Sequence, residues 1–365
     1  MAHSLDDPNR QVRYHAEYVS NVSSQDYPGV DPDNDHLWNL EEFKQRLTVA
    51  VTSLSEVAIE FDLVGVDASI ANAFRRALIA EVPTMAIEHV YIYDNTGVVQ
   101  DEVLAQRLGL IPLQVEAEDF DYVDTSVPID DQLNDRNALV FSLEIACERV
   151  KKPPPGAVSP DDLYINSNVY SKHLQWKPEG NQGRNPKYKS KPPKPALEHI
   201  LLAKLRPGQR ILATLHAIKG RGEIHAKWSP VATASYRLLP RINIRGPIPP
   251  EHQQLFQQCF PEGVIGRRKN PNTGEQEVYV KDARKDTVSR EVLRHDEFDG
   301  LVDLTRVRDF FLFRVETSGV TAPENLFPQA VKVLRSKIQK LKEDIRTHVL
   351  PKLEAGDGDV VMAEG

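Results

Sequence analysis

The chain has 365 residues, 40% of them hydrophobic and 27% charged, with 45 Lys and Arg against 53 Asp and Glu for a formal charge of -8. This size and apolar content suit a globular protein of two or three domain-sized units and exclude a miniature disulfide scaffold. The acidic balance argues against a whole-surface nucleic-acid binder, while local basic tracts stay open.

Cys147 and Cys259 are the only cysteines, far apart and without a second thiol at metal-ligand spacing, so two buried thiols in a reducing compartment are expected rather than a cysteine-zinc site. The opening MAHSLDDPNR lacks a positive head followed by an apolar block, and no later segment has the length of a membrane helix. The expectation is a soluble intracellular protein.

Residues 1–46 are polar and rich in turn formers, which predicts an extended or frayed arm anchored at Trp38 and Phe43. The first firm strand is VAIEFDLV, with Val57, Ile59, Phe61 and Leu63 on one face and Ala58, Glu60 and Asp62 on the other. Gly65 turns the chain into a short helix, where Ile70, Phe74 and Leu78 recur every four residues and Ala71, Ala73 and Ala77 permit close packing. Asp67 is placed to cap its first turn, and Pro83 closes the stretch. Arg75 and Arg76 lie beside the apolar stripe, either solvated or meeting carboxylates of a partner.

AIEHVYIYDNTG reads as a strand ending in a turn, and DEVLAQRLGLIPL as a helix stopped by Gly109 and Pro112. Residues 118–136 are acidic and irregular, and NALVFSLEIACERV is a strand whose Phe141, Leu143, Ile145 and Cys147 face inward. The proline-rich stretch that follows is a loop-rich insertion with Lys187, Lys189, Lys191 and Lys194 at its end, either a solvated loop or a contact for a polynucleotide or acidic partner. Two strands follow, in LRPGQRILATLHAIKGRG and HAKWSPVATASYRLLP, and residues 246–300 are again interrupted.

FFLFRVETSG is an emphatic strand, with Phe311, Phe313 and Val315 on one face. Thr321 and Glu324 have capping-box spacing, opening a helix that runs towards Leu350. Along it Phe327, Val331, Leu334, Ile338, Leu341 and Ile345 alternate steps of four and three, a continuous seam. Burying such side chains at about 1.5 to 3 kcal/mol each outweighs the few tenths offered by exposed ion pairs, so apolar packing sets the helix's partner. That partner is either this chain's own sheet or another subunit.

The blocks NAFRRALIAEVPTMAIEHV, EVLAQRLGLIPL, GEIHAKWSPVATASYRLLP and FRVETSGVTAPENLFPQAVKVLRSKIQKL resemble the alpha-like assembly subunits of multisubunit DNA-directed RNA polymerases, and among these the group shared by eukaryotic polymerases I and III. The resemblance spans about residues 45–349, with the motifs in family order. It implies an α+β fold: a discontinuous dimerisation domain at 47–85 and 220–349, an inserted mainly β domain at 86–219, an N-terminal extension at 1–46 and a tail at 350–365. It implies that Phe74, Arg75, Arg76 and Leu78 belong to an assembly helix and that Phe327, Val331, Leu334, Ile338 and Leu341 form a heterodimer seam with a smaller alpha-like subunit. Arg107, Gly109 and Pro112 fall on the family's RLGLIP block, and His225, Lys227, Trp228 and Pro230 on HAKWSP, as structural rather than catalytic residues.

The resemblance further implies a nuclear platform for the large catalytic subunits of polymerases I and III in rRNA, 5S rRNA and tRNA transcription. Mg2+ would sit in a large partner subunit, and nucleic-acid contact would be mainly indirect. Some relatives carry a cysteine cluster in the inserted domain. Cys147 stands alone here, so no zinc or iron-sulfur site is carried over. No nucleophile-and-base spacing and no full GxxxxGK[ST] loop occurs, so catalysis by this chain is not expected. An assembly subunit of one polymerase class and a general protein-interaction adaptor are the competing readings.

Overall fold

The computed structural model describes residues 10–21, 39–124, 127–128, 132–269 and 276–350. The main elements in chain order are β1 (Gln11–Tyr14), β2 (Val19–Ser20), α1 (Leu40–Arg46), β3 (Thr48–Leu54), β4 (Ala58–Val64), α2 (Ala68–Ala80), β5 (Pro83–Asn95) and α3 (Asp101–Gly109). They continue with β6 (Ala138–Ala146), β7 (Gln175–Lys177), β8 (Arg210–Arg221), β9 (Val231–Ile244), α4 (Gln253–Gln258), β10 (Ile265–Lys269), β11 (Gln276–Val280), β12 (Val302–Thr317) and α5 (Pro323–Asp344). Internal packing divides the chain into two units, Met1–Ser53 with Glu60–Asn72 and Ser235–Arg314, and Leu54–Ile59 with Ala73–Ala234 and Val315–Gly365.

The first unit is built on a sheet of order β2-β1-β12-β4-β3, with β9 also pairing β12. The long strand β12 alternates as its sequence requires: Phe311 and Phe313 are buried while Phe310, Leu312 and Arg314 are not. Phe61 stacks on Phe313 with centroids 5.0 Å apart, and Tyr236 meets Phe311 edge-on at 5.2 Å. A second cluster gathers Ile242, Phe256, Phe260, Val264 and Phe298, the last edge-on to Phe256 at 5.2 Å. The interrupted stretch 246–300 thus folds around its aromatics, with the hairpin β10–β11 inside it.

Three expectations change here. Part of the N-terminal arm is a strand: β1 pairs antiparallel with β12, Val12 opposite Arg306, and Arg10 binds the Asp309 carboxylate at 2.7 Å. Periodicity over four residues is too short a signal to reveal a pairing made nearly three hundred positions away. Thr48–Leu54 is also a strand, the edge of the sheet, exposed along its whole length, so it lacks the alternation that marks a half-buried strand. Asp62, on the outward face by sequence, is buried at 6% exposure because Arg284 reaches both of its oxygens, Nη1 at 2.9 Å to Oδ1. A charge leaves water only when such a partner replaces its hydration. The anchor Phe43 is half-buried on α1, whereas Trp38 lies outside the described residues.

The second unit holds an antiparallel sheet of order β7-β6-β8-β5. β8 is paired on both sides, Leu215 opposite Val90 of β5 and Phe141 of β6, so its apolar residues are sheltered by neighbours on each edge. Leu104 and Leu108 of α3 join Ile87, Leu139, Phe141, Leu143, Val169 and Leu205 in one buried core. The expected inward face of β6 is the one observed, with Leu143 fully buried and Glu144 exposed. Both sequence-based boundaries of the inserted domain, at 85/86 and 219/220, fall inside strands, and Met85 is the register partner of Lys219.

Candidate assembly surface

α2 begins at a capped turn. The Ser69 amide donates to Asp67 Oδ1 at 2.8 Å, and the amides of Ile70 and Ala71 bond to the Asp67 carbonyl. Hydrogen bonds from Ser69 hold the Asp67 carboxyl below the usual range, since they favour its charged form. The four-residue stripe splits in the fold. Leu78 is fully buried, Phe74 and Arg75 are half-buried, and Arg76 is exposed.

α5 starts differently from the expected capping box. Its N-cap is Ala322, in extended conformation and without a side-chain cap, while Pro323 occupies the first turn. The Thr321 carbonyl instead accepts the Thr317 hydroxyl at 2.8 Å. The helix tolerates Pro323 because a first-turn amide has no intrahelical acceptor.

Two adjoining stripes of α5 do different things. Pro323, Leu326 and Ala330 are buried in the chain's own second unit, a face that the second four-residue pair, Leu326 and Ala330, could have disclosed in the sequence. Beside it, Lys337 Nζ binds both Glu81 oxygens at 2.9 and 3.0 Å, and Lys332 Nζ binds Glu118 at 2.9 Å. These pairs span a cleft of about 660 Å³ that also takes in Lys219 and Tyr122. Burial pushes the Lys219 ammonium down from its ordinary value, and its Nζ donates to the Phe120 carbonyl at 2.8 Å.

The sequence-defined seam lies along the adjoining stripe, Leu334 standing four residues after Ala330. Phe327 is half-buried and meets Phe74 of α2 at a centroid distance of 5.0 Å, so the two candidate helices touch through their aromatics. Leu334 is half-buried. Val331 is 40% exposed, Ile338 53%, Leu341 60% and Ile345 40%, and so the stripe stays open to water along about four turns.

The remaining motif residues make contacts within the chain. Trp228 is buried; its Nε1 donates to the Ile218 carbonyl at 3.1 Å and its own carbonyl accepts the Thr84 hydroxyl at 2.7 Å. A Cβ on Gly220 would lie 2.3 Å from the Trp228 ring, so only glycine lets the indole lie against β8. Lys227 reaches the Ile87 carbonyl at 2.8 Å, pairs with Glu88 and sits 4.5 Å from the Trp228 ring centroid. His225 accepts the Lys227 amide, and the Pro230 carbonyl accepts the Ser318 amide at 2.9 Å. Exposed Arg107 donates to the Leu201 carbonyl at 2.5 Å, a Cβ added to buried Gly109 would lie 3.4 Å from the Ile87 carbonyl, and the Pro112 carbonyl accepts the Ala196 amide at 2.8 Å.

The lysine tract is less free than its sequence suggests. Lys187 lies 2.6 Å from both Glu116 and Asp119, Tyr188 is buried, and Lys194 lies 3.5 Å from Glu198. Burial and the Asp119 carboxylate push the Tyr188 hydroxyl well up from its ordinary value. Among the described residues no three His, Cys, Asp or Glu side chains are grouped as a metal site requires, and no helix is long and apolar enough to cross a membrane.

Two helices joined through Phe74 and Phe327, with an open apolar stripe on the longer one, define a protein-assembly module. The chain matches the RNA polymerase Rpb3/Rpb11 dimerisation domain over residues 60–338 and belongs to that family. It is 49% identical over 324 residues to DNA-directed RNA polymerases I and III subunit RPAC1 of Saccharomyces cerevisiae, covering 89% of this chain and 95% of that one. It is 42% identical to the mouse protein of that name, covering 90% and 92%, and 30% identical to DNA-directed RNA polymerase II subunit rpb3 of Dictyostelium discoideum, covering 83% and 96%. The chain is therefore an alpha-like RNA polymerase subunit closely related to RPAC1, of the non-catalytic assembly type, with a discontinuous α+β dimerisation domain and an inserted β-rich region.

Proposed function

We propose that this chain is the assembly subunit common to RNA polymerases I and III, pairing with a smaller alpha-like subunit to make the platform on which their large catalytic subunits assemble for rRNA, 5S rRNA and tRNA transcription. The observation that carries the pairing is the open stripe Val331, Leu334, Ile338 and Leu341 on α5, next to the Phe74–Phe327 junction. The choice of polymerases is supported by the 49% and 42% identity to subunits named for polymerases I and III, against 30% to one named for polymerase II.

In this reading α2, through Phe74, Arg75, Arg76 and Leu78, and the α5 seam belong to the dimerisation domain of 47–85 and 220–349, the β-rich insertion spans 86–219, and the protein works in the nucleus and nucleolus. The large partner holds the Mg2+ that phosphoryl transfer needs. Mass spectrometry of native complexes purified through a tag on this chain tests the reading. Two complexes with one smaller alpha-like subunit and different large subunits are expected. A single polymerase favours the specialised alternative, and recovery without polymerase subunits overturns assembly altogether.

A further inference from the structure

The two borders of the seam differ in charge. From Val331 to Lys342 the helix carries Lys332, Arg335, Lys337, Lys340 and Lys342 and no acid. Lys332 and Lys337 are bound to Glu118 and Glu81. With Val331 and Ile338 at one apolar position of a seven-residue repeat and Leu334 and Leu341 at the other, Arg335 and Lys342 each follow directly on the second and flank the stripe. They are seven residues apart, about 10.5 Å along the axis, and both are exposed. The positions three and four residues away from each are Val331, Lys332, Ile338, Gln339, Ile345 and Arg346, none of them acidic, so the helix does not neutralise them. On the opposite border Ala330 is buried, Lys337 is engaged within the chain, and the next repeat position is the acid Asp344.

We propose that Arg335 and Lys342 select the occupant of the seam: a partner helix whose apolar stripe is bordered by carboxylates two turns apart. This rests on the pairing reading above and gives its partner a chemistry. The same two cations reject a second copy of this chain, because two such helices would bring like charges together beside a desolvating apolar contact. Apolar burial then supplies affinity, and the cationic border supplies choice of partner.

The test uses the full chain with the Rpb11-type subunit of the same cell, measuring affinity across a range of salt for wild type, R335E/K342E and L334D. The charge-reversed chain is expected to bind at least about tenfold more weakly, to recover affinity as salt is added, and to be rescued by lysines replacing the facing carboxylates of the partner. Circular dichroism should be unchanged, since neither cation is paired within the chain's own helix positions. Wild-type affinity and salt dependence in R335E/K342E, while L334D fails to bind, would overturn the cationic border and leave the pairing reading standing. Wild-type binding by L334D would overturn both. Sedimentation of the wild-type chain alone should show monomer where the heterodimer forms, and a homodimer of comparable strength also overturns the proposal.

Discussion

The rings of Phe74 and Phe327 meet at a centroid separation of 5.0 Å with their planes inclined by 53°, tying two helices 253 positions apart in sequence at the start of the exposed seam. Tilted aromatic pairs gain about 0.5 to 1.5 kcal/mol beyond the area they bury. F74A and F327A should each destabilise the isolated chain, by about 1 to 3 kcal/mol because the rings are only half-buried. The double variant should lose less than the sum. A urea-unfolding mutant cycle measures the coupling, and strict additivity would mean the rings do not support each other.

Buried Leu326 and half-buried Leu334 of α5 should respond differently to the same substitution. L326D places a carboxylate in a fully buried site, so the chain itself should lose its cooperative unfolding transition. L334D lies on the open stripe, where the carboxylate keeps much of its hydration. It should leave circular dichroism close to wild type while eliminating recovery of the smaller subunit in pull-downs.

Gly220 and Trp228 give a packing prediction. G220A puts a methyl group into the indole, whose Nε1 is tied to the Ile218 carbonyl while the Thr84 hydroxyl holds the Trp228 backbone carbonyl. The cost should be about 1 to 3 kcal/mol, with a matching fall in the thermal midpoint and altered tryptophan emission. An unchanged midpoint would show that the clasp yields.

The Asp67 cap predicts a pH dependence of definite sign. Its folded-state pKa is depressed by the Ser69 bonds, so its contribution is present above the unfolded value near 3.9 and is lost as pH falls through the folded value. D67A should cost about 0.5 to 2 kcal/mol at neutral pH, and the gap from wild type should close only under acid conditions. Urea midpoints at neutral and acid pH compare the two chains, and a gap that persists below both values would assign the effect to something other than the carboxylate.

Much of this was written locally. The faces of β6, β12 and α2, the end of α3 and the seam of α5 follow from period-two or four-and-three spacing, because such spacing directly sets which side chains share a surface. The short strand β1 and the edge strand β3 carry no such pattern, one being four residues long and the other exposed on both faces. Asp62 likewise reads as solvent-facing until Arg284 arrives from 222 positions away.

The sequence by itself determined that α5 would carry an apolar stripe and, from Val331 to Lys342, a run of cations without an acid, since both depend only on residue order and the geometry of one helix. Only the tertiary structure decided which face the chain keeps for itself. Leu326 and Ala330 go inside, Lys332 and Lys337 are neutralised by Glu118 and Glu81, and the stripe with Arg335 and Lys342 stays in water. Burial and ion pairing are properties of what lies opposite a side chain, and what lies opposite is fixed by contacts between segments far apart along the chain.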